Sequence, residues 1–296
     1  MTKPAVPTDL ERVAIDVAEL AADHVRRRRP ELFGVRPGHD PHAVGSGDDG
    51  LAAVSVKSTP TDPVTLADTE TEQLIRSALR QRRPDDEVLG EEAGGSVTVP
   101  SGVRWVVDPI DGTVNFMYGI PAYAVSVAAQ VDGRSVAGAV VDVARAVTYS
   151  AALGHGAHID SGSGRTPLSA NPIGRVDLAL VATGFSYDAR RRAVQGEIIA
   201  QMLPRVRDIR RVGAAALDLC MVASGAVDAH FEHGLSPWDW AAGALIAAEA
   251  GAAVFTPPPE SRSDDGHVTV AIAPRIADEF VALLDELGAR AAMPTD

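Results

Sequence analysis

Two aspartates three residues apart, in the stretch WVVDPIDGTVNFMYGIP over 105–121, have types and a spacing that suggest chemistry. Asp108 and Asp111 follow an apolar run, Trp105, Val106 and Val107, and Pro109 between them fixes φ and folds the chain back. Such a turn can aim both carboxylates and the carbonyl of Ile110 at one point. That is a set of hard oxygen donors, suited to Mg²⁺ or Mn²⁺ and poorly suited to zinc. Gly112 and Thr113 follow, with backbone N–H groups opening the next helical turn, where a phosphate oxygen can sit. Asp-Pro-Xaa-Asp-Gly is also favourable turn chemistry by itself, so this stretch alone leaves a metal cage and an ordinary turn both open.

Other acidic pieces bear on that choice. LGEEAGG, at 89–95, puts Glu91 and Glu92 at the exit of a short apolar segment. Adjacent strand residues face opposite ways, so only one glutamate points into a site unless the chain turns there; a solvated acidic loop is the alternative. In SPWDWAAGALIAAEAGA, 236–252, Ser236 as N-cap, Pro237 at N1 and Asp239 at N3 read as a capping box on a nearly uncharged helix. Capping and metal ligation can coexist there. KSTPTDPVTLAD, 57–68, supplies Lys57, Asp62 and Asp68, and Asp68 at the start of a helix is favourable with or without a further role.

The elements that must position these residues are read from periodicity. Helices are expected at 9–29, 67–83, 188–203, 214–224, 237–250 and 274–288. Strands are expected at 86–90, 103–107, 121–131, 134–143 and 145–151, the last three an antiparallel meander joined by turns at 132–133 and 142–145. Beyond about residue 168 short apolar strands such as 177–184 alternate with helices, which predicts an α/β character for that half. Two lobes follow: 1–168, with helices and an antiparallel sheet carrying most of the acidic residues, and 169–296, an α/β lobe carrying Asp239. A ligand would sit in the crevice between them. The segment 30–50, with His39 and His42, reads as an insertion, and 256–266 as a loop.

Composition narrows the partners. Forty acidic residues against 27 Lys plus Arg give a formal charge of −13, which repels nucleic acid at long range. The basic run 26–29 reads as the end of the first helix before Pro30, opposing its dipole. No apolar run reaches the roughly 20 residues that span a bilayer, and the start turns charged too soon for a secretory signal, so a cytoplasmic protein is expected. Cys220 is the only cysteine, which excludes an intrachain disulfide; its apolar setting reads as a buried, inert thiol.

Taken together, KSTPTDPVTLAD, GEE, WVVDPIDGTVNF and WDWAAG, in that order, with GAAALDLCMVASGAVDAHFE at 213–232, resemble the inositol monophosphatase family of Mg²⁺-dependent, lithium-sensitive phosphatases. The resemblance implies a mixed α+β chain in the layered αβαβα sugar-phosphatase fold. It implies two or three Mg²⁺ ions, with Mn²⁺ a substitute: Glu91, Asp108 and the carbonyl of Ile110 for the first, Asp108, Asp111 and Asp239 for the second, and Glu91 through water for a third. Thr113, hydrogen-bonded to Asp68, would orient the attacking water, and the N–H groups of Gly112 and Thr113 would hold phosphate. Glu92 would support Glu91. Glu232 would accept bonds from substrate hydroxyls, with the backbone of Gly213, Ala214 and Ala215 lining the same pocket. The family usually has Ser or Thr where this chain has Ala214, so the alcohol is the open question.

The reading implied is hydrolysis of small phosphate monoesters, inositol 1-phosphate first, by a homodimer without membrane or nucleic-acid partners. Fructose 1,6-bisphosphate, NADP, 3'-phosphoadenosine phosphate and histidinol phosphate are the alternative substrates. A regulatory binding protein on the same fold is the alternative of another class.

Overall fold

The computed structural model describes residues 5–34, 54–57, 63–293 and 295, so His39, His42, Asp62 and most of the 30–50 segment lie outside the described residues. The first helix, α1 (Pro7–Phe33), runs on through Pro30 instead of stopping before it. Pro30 removes one backbone donor near the helix end, and contacts to other elements hold that end in place. Arg28 donates to Glu70 at 2.7 and 3.0 Å, and Arg29 donates to the carbonyls of Phe116 and Gly34 at 3.0 and 2.8 Å. The basic run therefore clamps α1 to its neighbours and does not sit in the last turn opposing a dipole.

A two-stranded ribbon, β1 (Val54–Val56) with β2 (Pro63–Thr65), leads into α2 (Leu66–Arg82). Next come β3 (Glu87–Gly90), β4 (Val103–Asp111), the short α3 (Thr113–Tyr118), β5 (Ala124–Val131), β6 (Arg134–Asp142), β7 (Val147–Ala152), β8 (Ala157–Asp160) and β9 (Arg165–Pro167). The strands form one seven-stranded sheet in the order β3 to β9. Its pairs are antiparallel except β3 with β4, so the sheet is mixed where an antiparallel one was expected. The expected strand at 103–107 extends to Asp111, with a register shift between Asp108 and Asp111 that absorbs the proline turn. β8 and β9, at four and three residues, are too short to carry a period.

The rest of the chain gives β10 (Leu180–Thr183), α4 (Ala189–Met202), β11 (Asp208–Arg210), α5 (Ala215–Ala223), β12 (Ala229–His233), α6 (Pro237–Glu249), β13 (Ala253–Phe255), β14 (Val268–Ile272) and α7 (Ala277–Glu286). Its five strands order as β11-β10-β12-β14-β13, parallel through the first three and antiparallel thereafter.

The layers follow from which face each strand buries. On β5, Val125, Val127 and Ala129 join α1 and α2 in one core, while Ala124 and Ala128 join α5 and α6 in another. The far face of the five-stranded sheet packs Val181, Phe231 and Val270 against Ile198 and Met202 of α4 and Phe280 and Leu283 of α7. The order is thus helices, seven-stranded sheet, helices, five-stranded sheet, helices, the αβαβα arrangement. α6 is rich in Ala and comes so close to β6 that a Cβ on Gly138 would lie 3.0 Å from the Ala242 backbone. Cys220 is free and fully buried on α5.

Candidate active site

β4 delivers Asp108 and Asp111 to its end, and a left-handed Gly112, φ 95°, turns the chain into α3. No side chain fits there: a Cβ on Gly112 would meet the Ala122 and Gly213 carbonyls at 3.0 and 3.2 Å. Asp108 is 1% exposed and its Oδ1 accepts the Ile110 N–H at 3.0 Å. Asp111 reaches across to α5, where its two oxygens accept the N–H groups of Ala215 and Ala216 at 3.2 and 2.7 Å. Ala214, the N-cap of α5, has no side chain able to cap, so Asp111 supplies that cap from another element.

Asp68 is fully buried at the start of α2. Its Oδ2 accepts from the Thr65 backbone at 2.8 Å and from the Thr65 hydroxyl, while Oδ1 faces Thr113 Oγ1 at 3.2 Å. Thr113 Oγ1 also lies 3.1 Å from the Ile110 carbonyl, so the hydroxyl stands between two acceptors. Glu91 and Glu92 leave β3 where the chain turns, and Lys57 Nζ joins them, 2.8 Å from Glu91 Oε1 and 2.6 Å from Glu92 Oε1. Glu72 of α2 builds that turn: its carboxylate accepts the N–H groups of Glu92 and Ala93 at 2.7 and 3.0 Å. Asp239 sits in the first turn of α6, its Oδ2 accepting the Ser236 N–H at 2.7 Å. The expected capping box of Ser236 with Asp239 is present, and the Ser236 hydroxyl also accepts from Ser263 N–H at 3.2 Å.

One cavity of about 430 Å³ collects these groups. Lys57, Glu91, Asp108, Ile110, Asp111, Gly112, Thr113 and Asp239 line it, as do Gly213, Ala214, Ala215 and Glu232. Asp68 and Glu92 stand behind the lining, through Thr113 and Lys57 respectively. The four lining carboxylates Glu91, Asp108, Asp111 and Asp239 share the cavity without closing on a point. Among the described residues, a set of three donors within 4.8 Å of one another occurs at Asp218, His230 and Glu232 instead.

Electrostatics shape the cavity. Burial, then the charges of Glu91, Asp111 and Asp239, pushes Asp108 well above the usual carboxylate range; burial, Glu91 and Asp111 do the same to Asp239. Burial lifts Asp111 to about 7 against the two α5 N–H groups, Asp68 to about 6 and Glu92 to about 7. Glu232 is pushed up to about 8, again mainly by burial. Carboxylates taken out of water beside one another favour either a proton or a cation, and their donor set is all oxygen, the set a hard divalent ion takes.

Several residues that line or support the cavity escaped the sequence reading. Arg211 is exposed at the rim two residues before Gly213. Arg191 of α4 is buried and ties the 263–264 turn through carbonyl contacts at 3.0 and 3.2 Å. Glu72 sits one turn after Asp68 on α2, and its role comes only from the approach of α2 to β3, which no short pattern carries.

The chain has relatives among known proteins in both sequence and fold. The sequence profile described as "Inositol monophosphatase family" matches residues 9–288. The Mycobacterium tuberculosis protein named inositol-1-monophosphatase SuhB is 52% identical over 299 residues, covering 99% of this chain and 100% of that one. Its solved structure, Mycobacterium tuberculosis SuhB, superposes with a TM-score of 0.80 at 47% identity, covering 97% of this chain and 100% of that one. A Pasteurella multocida protein named Nus factor SuhB is 39% identical over 229 residues, 77% of this chain and 84% of that protein.

Proposed function

The chain belongs to the inositol monophosphatase family and is a phosphatase, and on that premise we propose that it hydrolyses small polyol phosphate monoesters, inositol 1-phosphate first, with Mg²⁺ as its cation. The observation that carries this is one cavity lined both by the carboxylates Glu91, Asp108, Asp111 and Asp239 and by Glu232 with the rim guanidinium of Arg211. Glu91, Asp108, the carbonyl of Ile110, Asp111 and Asp239 would hold the cation. When bound, it supplies Lewis-acid polarisation of the phosphate and a water acidic enough to attack at neutral pH.

The remaining work falls to this chain's own groups. Thr113 can give its single hydroxyl proton to Asp68 or to Ile110, and its oxygen keeps a lone pair to accept from, and aim, a water in the cavity. Asp68, lifted to about 6, is still mostly ionised at neutral pH and so remains an acceptor for Thr113. The backbone at Gly112 and Thr113 lines the cavity beside Asp111 and offers uncharged donors to phosphate oxygens. Glu232, part-exposed to the cavity, accepts from substrate hydroxyls, and Ala214 leaves that wall without a hydroxyl of its own. The other phosphate esters named above differ at this polyol end, which is where they would be told apart.

A cytoplasmic homodimer belongs to the same reading; among the described residues no helix is long and apolar enough to cross a membrane. The relative named a Nus factor supports a second reading, a regulatory protein on the same fold. Such a protein has no need of a hydroxyl held against Asp68 within a carboxylate-lined cavity. The test is phosphate release from inositol 1-phosphate with and without Mg²⁺. Asp108→Asn should lower it at least about 100-fold while the fold persists. Release that ignores both the ion and the substitution would remove the proposal.

A further inference from the structure

Below the polyol end of the cavity, between α5 and the five-stranded sheet, lies a second group of three ionisable side chains, two of which, Asp218 and His230, the reaction leaves unused. His230 and Glu232 are two apart on β12 and so leave the strand on one face. The strand neighbours of His230, Ala182 and Ala271, belong to the core that α5 and α6 share, which places that face toward α5, and Asp218 meets it from α5. One donor atom from each of the three lies within 4.8 Å of the other two. His230 Nδ1 is 3.8 Å from Asp218 Oδ2, too far for a hydrogen bond.

Asp218 is 1% exposed and His230 is fully buried, yet neither oxygen of Asp218 and neither ring nitrogen of His230 has a hydrogen-bond partner among the described residues. Four such atoms on two facing side chains point to a ligand that bonds to both, because native interiors rarely leave polar groups unmet. Glu232 is the third arm and opens on the cavity, which gives an ion a way in. Gly184 makes room for that arm: a Cβ there would lie 2.0 Å from Glu232 Oε1. A nitrogen donor with two carboxylates is a different set from the all-oxygen group around Asp108, and it suits a borderline ion better than Mg²⁺. Burial pushes His230 down to about 3, so its ring is neutral and keeps a lone pair for a metal at neutral pH.

We propose that Asp218, His230 and Glu232 form a binding site for a borderline divalent ion such as Zn²⁺, and that filling it draws Glu232 out of the cavity. Zinc ligands about 2.0 Å from the ion stand roughly 3.3–4 Å apart, so a modest side-chain rotation closes the group. The consequence for substrate rests on the reading of Glu232 given above; the metal site does not.

The test uses the full chain in excess Mg²⁺, with Zn²⁺ as the probe. Diffraction at the zinc absorption edge should place an anomalous peak among the three side chains, and calorimetry should count one zinc per chain that His230→Phe removes. Zinc should raise KM for a polyol phosphate up to about tenfold, the loss of one hydrogen bond, with kcat little changed. Zinc density confined to Asp108 and its neighbours, or water alone between Asp218 and His230, overturns the site even if His230→Phe fails to fold. A zinc peak in place with no hydrolysis of any polyol phosphate would instead overturn the function proposed for the cavity.

Discussion

Lys57 is already a cation among the acidic side chains, bridging Glu91 and Glu92 at 2.8 and 2.6 Å. A divalent ion that takes Glu91 must share it with that ammonium or displace it, and two cations a few ångströms apart repel measurably at protein-surface dielectric. Lys57→Gln should therefore tighten divalent-ion binding roughly tenfold in calorimetry; an unchanged Kd would mean that the ammonium swings clear at no cost. The raised carboxylates give a pH prediction with a definite sign. Asp68 at about 6, Asp111 and Glu92 at about 7 and Glu232 at about 8 hold protons in the folded state that the unfolded chain, near its usual carboxylate range, has released. Stability in a chelating buffer should fall as pH rises from about 5 to 8, and added divalent ion should oppose the fall, both followed by melting temperature. At this scale the motif residues were legible because each lies in a short run of fixed types. Glu72, Arg211 and the Asp218–His230 contact were not, because their partners are distant along the chain.

Elements place those residues through a few constrained contacts. Gly90 ends β3 with the Glu72 carboxylate packed where a side chain would go, a Cβ there lying 2.4 Å from Glu72 Oε1. Gly90→Ala should push Glu72 off the N–H groups of Glu92 and Ala93, cost about 1–3 kcal/mol in denaturant unfolding, and weaken divalent-ion binding through Glu91. Wild-type stability in that variant would mean that Glu72 repacks freely. Longer elements were read nearly to their ends from periodicity: α2, α4 and α5 differ from expectation by a residue or so. The misses have separate causes. α1 passes Pro30 because Arg28 and Arg29 hold its far end, β4 runs through Pro109 because a register shift takes up the turn, and β8 and β9 are too brief to show alternation.

In the whole molecule, the layer order places the cavity where the end of β4, the first turns of α5 and α6, and β12 meet. Alternation between strands and helices suggested layering but could not say that α5 and α6, from the second half of the chain, would cover the sheet built by the first. A fragment ending at residue 168 would lose that cover and leave Val106, Ala124, Ala128 and Val140 bare. It should bind hydrophobic dyes and associate, and a well-dispersed NMR spectrum from it would contradict this. Both walls of the reaction chamber are thus bolted to one shared middle plank. Among the described residues no hinge-like seam lets one wall melt while the other stays intact, so heat should silence turnover and collapse the fold at the same temperature.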